Sequence, residues 1–211
     1  MIVALMTPFL AFLFAAIVLA VTPGPGIAYV VARTVSGGRS EGIASCVGTA
    51  FGGMVHVLAA AFGLSAVLAQ SALAFSIVKY LGAAYLIYMG VRLLLTKANA
   101  SAQPEVRATG MWRALRDGAL VEAMNVKTAI FFLAFLPQFV VANEPLVPQL
   151  LLMGSVCVLL NTLVDVVAVF AADRLLKSST ARTAREKMLT RASGVTMISL
   201  GAYLATAKNN T

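Results

Sequence analysis

Six long apolar segments, separated by short basic stretches, constrain this chain of 211 residues more than any other feature. They run over about 2–35, 42–69, 72–95, 118–142, 147–172 and 192–207. A helix needs about 20 mostly apolar residues to cross the hydrocarbon core of a bilayer. Only 11% of the residues are charged, compared with about 25% in an ordinary soluble domain. The sequence therefore predicts an all-α membrane protein with six transmembrane helices in a single transmembrane transporter domain, 1–211.

The positions of lysine and arginine predict how these helices are oriented. The stretches after the first, third and fifth segments hold all 16 basic residues except Lys79, Lys127 and Lys208. Positive charge marks cytoplasmic loops, so both termini are expected on the periplasmic or extracellular side. A net charge of +8 also occurs in nucleic-acid-binding proteins. Here the basic residues lie between spans and no aromatic residues alternate with them, which argues against that class.

The chain divides into two halves of three predicted helices each. Repeat 1 covers about 1–95, a cytoplasmic linker about 96–117, and repeat 2 about 118–211. Two halves with an odd number of spans lie in opposite orientations in the membrane, as in transporters built from inverted repeats. Pro23 in "TPGPG" and Pro137 in "FLPQF" fall at similar depths in the two halves, and paired helix breaks of this kind indicate a site near the midplane.

The first apolar segment is interrupted by Thr22, Pro23, Gly24, Pro25 and Gly26. Proline lacks a backbone N–H, so carbonyl groups around positions 19–22 lose their helical partners. Such groups are tolerated in a membrane only beside protein or water, which predicts a hydrated pocket. The amides that start the next helix would attract a carboxylate. A plain proline kink that improves helix packing is the alternative interpretation.

A few polar side chains fall inside the predicted spans. Asp165 is the deepest and could bind a substrate ammonium group or carry a proton. Glu122 and Asn125 share one face of the fourth segment, while Lys127 points elsewhere. Glu122 and Lys127 could equally reach the membrane interface as long, snorkelling side chains. His56 could relay protons or simply bond a neighbouring carbonyl. Asp165, Glu122 and His56 are the candidates for proton coupling.

Small and sulfur-containing residues in the spans predict packing rather than chemistry. Gly48 and Gly52 are spaced for close helix approach, either within the chain or at a dimer face. Cys46 and Cys157 are far apart, so neither a redox pair nor a thiolate metal cluster can be assembled. No metal or cofactor is expected.

An early "TPGPG", a central "RDGALVEAMNVKTAIFFLAFLPQFV" and a closing "RASGVTMISLGAYLA" resemble the LysE/RhtB amino-acid exporter family over nearly the whole chain. The resemblance implies a protein of the bacterial cytoplasmic membrane that exports amino acids or close derivatives, driven by protons, and that can form a homodimer. In that family Asn-Pro-Lys usually precedes "FFLAFLPQF". Here Val126 replaces the proline, which restores an N–H and predicts a more regular helix at that point.

Together these features favour a secondary transporter that works by alternating access, with Thr22, Pro23, Gly24, Pro25, Gly26, Asn125 and Asp165 as substrate-binding residues. A membrane-embedded enzyme is the first alternative, but the sequence lacks a clustered nucleophile, base or metal set. A passive small-solute channel is the second, but polar residues do not form a continuous stripe along several helices.

Overall fold

The computed structural model describes residues 2–64, 71–95, 108–141, 144–175 and 182–206, and within these ranges the regular structure is entirely helical. The α-helices are α1 (Ile2–Val21), α2 (Pro25–Leu58), α3 (Ala72–Leu95), α4 (Met111–Ala123), α5 (Val126–Ile130), α6 (Leu146–Leu175) and α7 (Arg182–Thr206). A π-helical turn, Ala59–Leu64, extends α2. After α5 come a π-helical turn, Phe131–Phe135, and a 3₁₀ turn, Leu136–Phe139. The predicted all-α class is confirmed.

The predicted break at TPGPG is present. Helix α1 ends at Val21, the next three residues are not helical, and α2 begins at Pro25. Proline is well suited to the first position of a helix, where its missing N–H has no intrahelical partner in any case. The side chain of Thr22 donates back to the carbonyl of Val18 at 2.6 Å. The first apolar segment is therefore two helices joined by a short unwound segment.

Helix α2 reverses direction at Gly38. This residue has a φ of 75° inside an otherwise helical run. Gly26 lies near Thr49, because a Cβ at Gly26 would be 4.0 Å from Thr49 Cγ2. A continuous helix would separate residues 26 and 49 by about 35 Å. Val30 and Cys46 also pack together in one cluster. The first arm, residues 25–37, therefore folds back antiparallel to the second arm, residues 39–58.

A second break separates α4 from α5, and its position differs from the predicted one. Met124 and Asn125 are not helical, and the two flanking helical stretches are bent by 45°. The prediction that Val126 makes this point more regular is wrong, because the side chain of Asn125 caps α5 by accepting from the N–H of Lys127. Asparagine is among the best N-capping residues. At Pro137, where a break was expected, the chain forms a 3₁₀ turn.

By length and composition, two helical stretches of the described chain could cross a membrane: Pro25–Gly63, which the reversal at Gly38 divides into two arms, and Leu146–Ala172. The bent pair Met111–Ala123 and Val126–Phe139 passes the same test when taken together. Helix α4 begins at Met111, within the predicted linker of about 96–117. Residues 96–107 lie outside the described part, as does the end of the second predicted segment. Helix α7 begins at Arg182, earlier than the predicted position 192.

Glycines bring the helices into backbone contact. A side chain at Gly48 would collide with the carbonyl oxygen of Leu115, and one at Gly52 with that of Ala119. These two glycines therefore pack α2 against α4 within the chain. Gly90 and Gly194 do the same for α3 and α7, since a Cβ at Gly194 would lie 2.8 Å from the carbonyl oxygen of Gly90. Close backbone approach of this kind is a common way to associate helices in membranes.

Candidate functional site

A polar cavity lies where the two helix breaks meet the centre of α6. Its lining comes from both arms of α2, the segment from Glu122 to Phe132, and α6: Gly26, Ile27, Thr49, Ala50, Gly53, Glu122, Asn125, Lys127, Thr128, Phe132, Val158, Asn161, Thr162 and Asp165. About 420 Å³ of free space lies among these residues when the open mouth is included, but only about 20 Å³ admits the centre of a water molecule. The closed part therefore holds roughly one water.

Glu122 places its carboxylate at the start of α2. Its oxygens accept hydrogen bonds from Thr128 Oγ1 at 2.6 Å and from Asn125 Nδ2 at 3.0 Å. The side chain is 8% exposed. Oε2 is so close to Gly26 that a Cβ at this glycine would lie 2.6 Å from it. The carboxylate expected at the N-terminus of α2 is thus supplied, in this structure, by the protein itself.

Lys127 reaches across to the other side of the first break. Its Nζ donates to the carbonyl of Thr22 at 2.8 Å and to that of Leu19 at 3.3 Å. The residue is 4% exposed, and a Cβ at Gly24 would lie 3.0 Å from Nζ. The amine therefore bonds the carbonyl of Thr22 at the break and that of Leu19, which also accepts from the N–H of Thr22 at 3.2 Å. Neither Glu122 nor Lys127 is a snorkelling side chain, so that alternative is wrong.

The two breaks cross in a reciprocal way. Glu122, which precedes the second break, contacts the residues that follow the first, while Lys127, which follows the second break, contacts residues that precede the first. This exchange requires the two broken helices to run in opposite directions where they cross. His56 also contacts the second break, because its Nε2 lies 2.8 Å from the carbonyl oxygen of Glu122. A carbonyl only accepts, so Nε2 is the protonated nitrogen.

Asp165 faces the cavity from α6. Its Oδ2 accepts a hydrogen bond from Thr49 Oγ1 at 2.9 Å, and the residue is 5% exposed. Among the described residues, Oδ1 has no hydrogen-bond partner and is not sealed from the cavity. Asn161 lines the same face, but its Nδ2 donates to the carbonyl of Cys157 at 2.9 Å. Asp165 therefore presents an unused acceptor to the cavity.

Only some of the site residues predicted from the sequence line this cavity. Gly26, Asn125, Asp165 and Glu122 line the cavity, whereas Thr22, Pro23, Gly24 and Pro25 are not in its lining. Of these four, Thr22 and Gly24 lie against Lys127. His56 lies behind the backbone of Glu122 rather than in the lining. Sequence reasoning missed Lys127, Thr49 and Thr128. Lys127 and Thr128 could have been recognised as site residues, because they lie close to Asn125 in the sequence. Thr49 could not, because its partner Asp165 is 116 residues away.

A second buried polar cluster lies where α2 reverses. Glu41 Oε1 accepts from the backbone N–H groups of Thr109 at 2.9 Å and Gly110 at 2.7 Å. Arg33 donates to Thr109 Oγ1 at 2.7 Å and to Tyr29 Oη at 3.0 Å. Its guanidinium also lies 3.9 Å from Glu41 and 3.5 Å from Asp117. Arg33, expected in a cytoplasmic loop, is instead a buried part of a helix.

The chain is similar to known proteins over nearly its whole length. The chain is 30% identical over 202 residues to an uncharacterized membrane protein of Vibrio cholerae, covering 94% of this chain and 97% of that one. It is 26% identical over 199 residues to the homoserine/homoserine lactone efflux protein of Salmonella typhimurium, covering 94% and 96%. No solved structure matches the chain. Residues 17–208 match the family described as LysE type translocator, so this protein belongs to that family.

Proposed function

We propose that this protein is a secondary transporter that exports amino acids or close derivatives from the cytoplasm by alternating access. The observation that carries the proposal is the cavity between two crossing helix breaks, lined by Glu122, Lys127 and Asp165. Ionisable side chains are costly inside a membrane and mark substrate or ion pathways. Membership of a translocator family and the efflux activity named for the Salmonella relative support the same function.

The architecture proposed for this transporter has six passes in two inverted halves, about 1–95 and 118–211, joined by the segment around 96–117. The reversal at Gly38 supports it, because it turns the arms of α2 into parts of two successive passes. The opposite directions of the two broken helices are also what inverted repeats produce. The distribution of basic residues supports an orientation with both termini on the periplasmic or extracellular side, and the proposed location is a bacterial cytoplasmic membrane. The resemblance to the amino-acid exporter family supports a homodimer as the proposed assembly.

The proposed substrate site centres on Asp165 and Asn125, with Gly26 at its edge. Asp165 Oδ1 is the acceptor available to a substrate ammonium group. Thr22, Pro23, Gly24 and Pro25 contribute indirectly, because Lys127 holds the break that they form. A cargo carboxylate that binds the first amides of α2, as the sequence suggested, would have to displace Glu122.

The charges of the cavity support coupling to protons. Two carboxyl groups and one lysine line it, so the cavity carries one excess negative charge when all three are ionised. A buried net charge is expensive unless something neutralises it. One proton or one cationic group neutralises the excess negative charge. A site that can hold either of them, but not both at once, couples the movement of the proton to that of the cation. Asp165 is the proposed proton carrier, with Glu122 and, through its contact with the Glu122 carbonyl, His56 as the alternatives.

The cavity is narrow in this structure. A space for roughly one water is too small for an amino acid. Cargo therefore enters only when the surrounding helices separate on one side. Rocking of the two halves around the crossing point would open the cavity to each side in turn.

Asp165→Asn is the sharpest test of this function. Asparagine keeps the shape and can still accept from Thr49, but it cannot exchange a proton or neutralise an ammonium group. We expect uphill movement of homoserine in proteoliposomes with an imposed pH gradient to fall to the level of empty vesicles, while insertion and folding are retained. Glu144→Gln makes the same chemical change at an exposed residue and is the matched control, with unchanged transport expected.

Wild-type rates in Asp165→Asn would remove this residue from the mechanism. Downhill leakage of homoserine without uphill movement in the wild type would instead identify a channel. Chemical conversion of the compound would identify an enzyme.

A further inference from the structure

We infer that the cavity opens more readily on the side where α4 begins, through a polar gate formed by Tyr29, Arg33, Glu41 and Asp117. The inference rests on the proposed transport function, which requires the cavity to open to each side in turn. It comes from the different chemistry of the contacts that close the cavity on its two sides.

The polar gate lies two helical turns away from the cavity. Arg33 follows the lining residue Gly26 by seven residues on the first arm of α2, which is about 10 Å at the rise of a helix. Between these two levels the helices touch. A Cβ at Gly118 would lie 2.9 Å from the carbonyl oxygen of Ser45 and 3.3 Å from the ring of Tyr29. Both arms of α2 and α4 therefore meet here and leave no passage between them.

Polar contacts hold these three helical segments together at the gate. Tyr29 Oη donates to the carbonyl of Ala114 at 3.0 Å and accepts from Arg33 Nε at 3.0 Å. The Arg33 guanidinium lies 3.5 Å from Asp117 and 3.9 Å from Glu41. Water can hydrogen-bond each of these groups when the helices separate, so much of the lost interaction is recovered. The gate can therefore open to water at a small net cost.

The opposite side of the cavity is closed by aromatic side chains. Phe132 lines the cavity, and Phe131, Phe135 and Phe139 belong to the same helical segment. The ring centroids of Phe131 and Phe135 are 5.3 Å apart, and those of Phe135 and Phe139 are 5.4 Å apart. All four residues are at most 5% exposed. Separation on this side would expose apolar surface to water without a compensating interaction, so the polar gate is the easier of the two to open.

A thiol placed in the cavity can test this difference. Ala50 lines the cavity, and Ala50→Cys is introduced after the native Cys46 and Cys157 have been replaced by serine. Membrane vesicles of each orientation are treated with a small, membrane-impermeant methanethiosulfonate, so that each preparation measures access from one face. Labelling of Arg113→Cys, at an exposed position near the start of α4, identifies that face independently of the predicted orientation. We expect Ala50→Cys to react faster from the face where α4 begins.

Tyr29→Phe tests whether the polar gate controls this access. It removes the hydroxyl that joins Arg33 to Ala114 and keeps the aromatic ring. We expect labelling of Ala50→Cys from the face where α4 begins to become about threefold faster, as for the loss of one hydrogen bond. Labelling from the other face should not change. Tyr88→Phe makes the same chemical change at an exposed residue of α3 and is the matched control.

Several results would overturn the inference. With the gate intact, faster labelling of Ala50→Cys from the opposite face, equal labelling from both faces, or labelling from neither would do so. An unchanged rate in Tyr29→Phe would show that the polar contacts do not control access. Equal acceleration from both faces in Tyr29→Phe would show a general loosening of the fold instead of a gate.

The outcomes also separate this inference from the proposed function. Uphill export of homoserine without one-sided labelling would support the transporter and overturn the gate. One-sided labelling that Tyr29→Phe accelerates, without uphill movement of homoserine, would support the gate and contradict the transporter.

Discussion

Two glycines of TPGPG are explained by what lies against them. Gly24 faces the amine of Lys127, and Gly26 faces the carboxylate of Glu122. The first break therefore presents its carbonyls to one charged side chain and the start of α2 to another, and a Cβ at either glycine would crowd that side chain. The prolines interrupt the hydrogen bonding of the helix, while the glycines make room for the groups that replace it.

Gly26→Ala should disturb the site more than any other substitution that adds a single methyl group at the first break. The new Cβ would lie 2.6 Å from Glu122 Oε2, so the carboxylate must move away from Thr128 and Asn125. Overpacking of this kind costs about 1–3 kcal/mol. We expect a lower thermal unfolding midpoint in detergent and reduced efflux from vesicles. Gly63→Ala is the control, because no atom of the described residues lies within 4 Å of the new methyl group. Equal midpoints for the two variants would show that Glu122 has room to adjust.

At the scale of elements, the reversal of α2 depends on a single residue and a buried cluster. Gly38 supplies the positive φ. On either side of it, Arg33 and Glu41 both bond to the segment before α4. The second arm then runs beside α4 through Gly48 and Gly52. Arg33 therefore joins three parts of the chain: both arms of α2 and the beginning of α4.

Arg33→Met should destabilise this junction strongly. It leaves Glu41 Oε2 buried without its charge partner, and removing one member of a buried ion pair typically costs about 3–5 kcal/mol. We expect a fall of several degrees in the thermal unfolding midpoint measured by intrinsic fluorescence. Arg113→Met, at an exposed position on α4, should leave the midpoint unchanged. Similar midpoints for both variants would mean that the backbone amides of Thr109 and Gly110 are sufficient to hold Glu41.

What the sequence could predict depends on how far apart the interacting residues lie. The break at TPGPG is a local consequence of two prolines and was predictable. The break at Asn125 is also local, but it was missed because a capping side chain can replace the proline that was looked for. The burial of Lys127 could not be predicted, because its acceptor Thr22 is 105 residues away. A lysine near a predicted helix end has the same local pattern whether it snorkels or crosses to another helix.

At the scale of the whole molecule, the orientation is a prediction from the basic residues. It can be tested by single cysteines introduced after the buried native residues Cys46 and Cys157 have been replaced by serine. We expect Glu144→Cys to react with a membrane-impermeant maleimide in intact cells, and Arg113→Cys to react only after the cells are permeabilised. Both positions are exposed in the structure. The opposite labelling pattern would invert the topology.

Glu122 and Lys127 lie on either side of the second break, yet each contacts a different side of the TPGPG break. If the segment 122–127 shifts as a unit, both contacts are lost together. The unlocking of the first helix is then an all-or-none event with a single kinetic barrier.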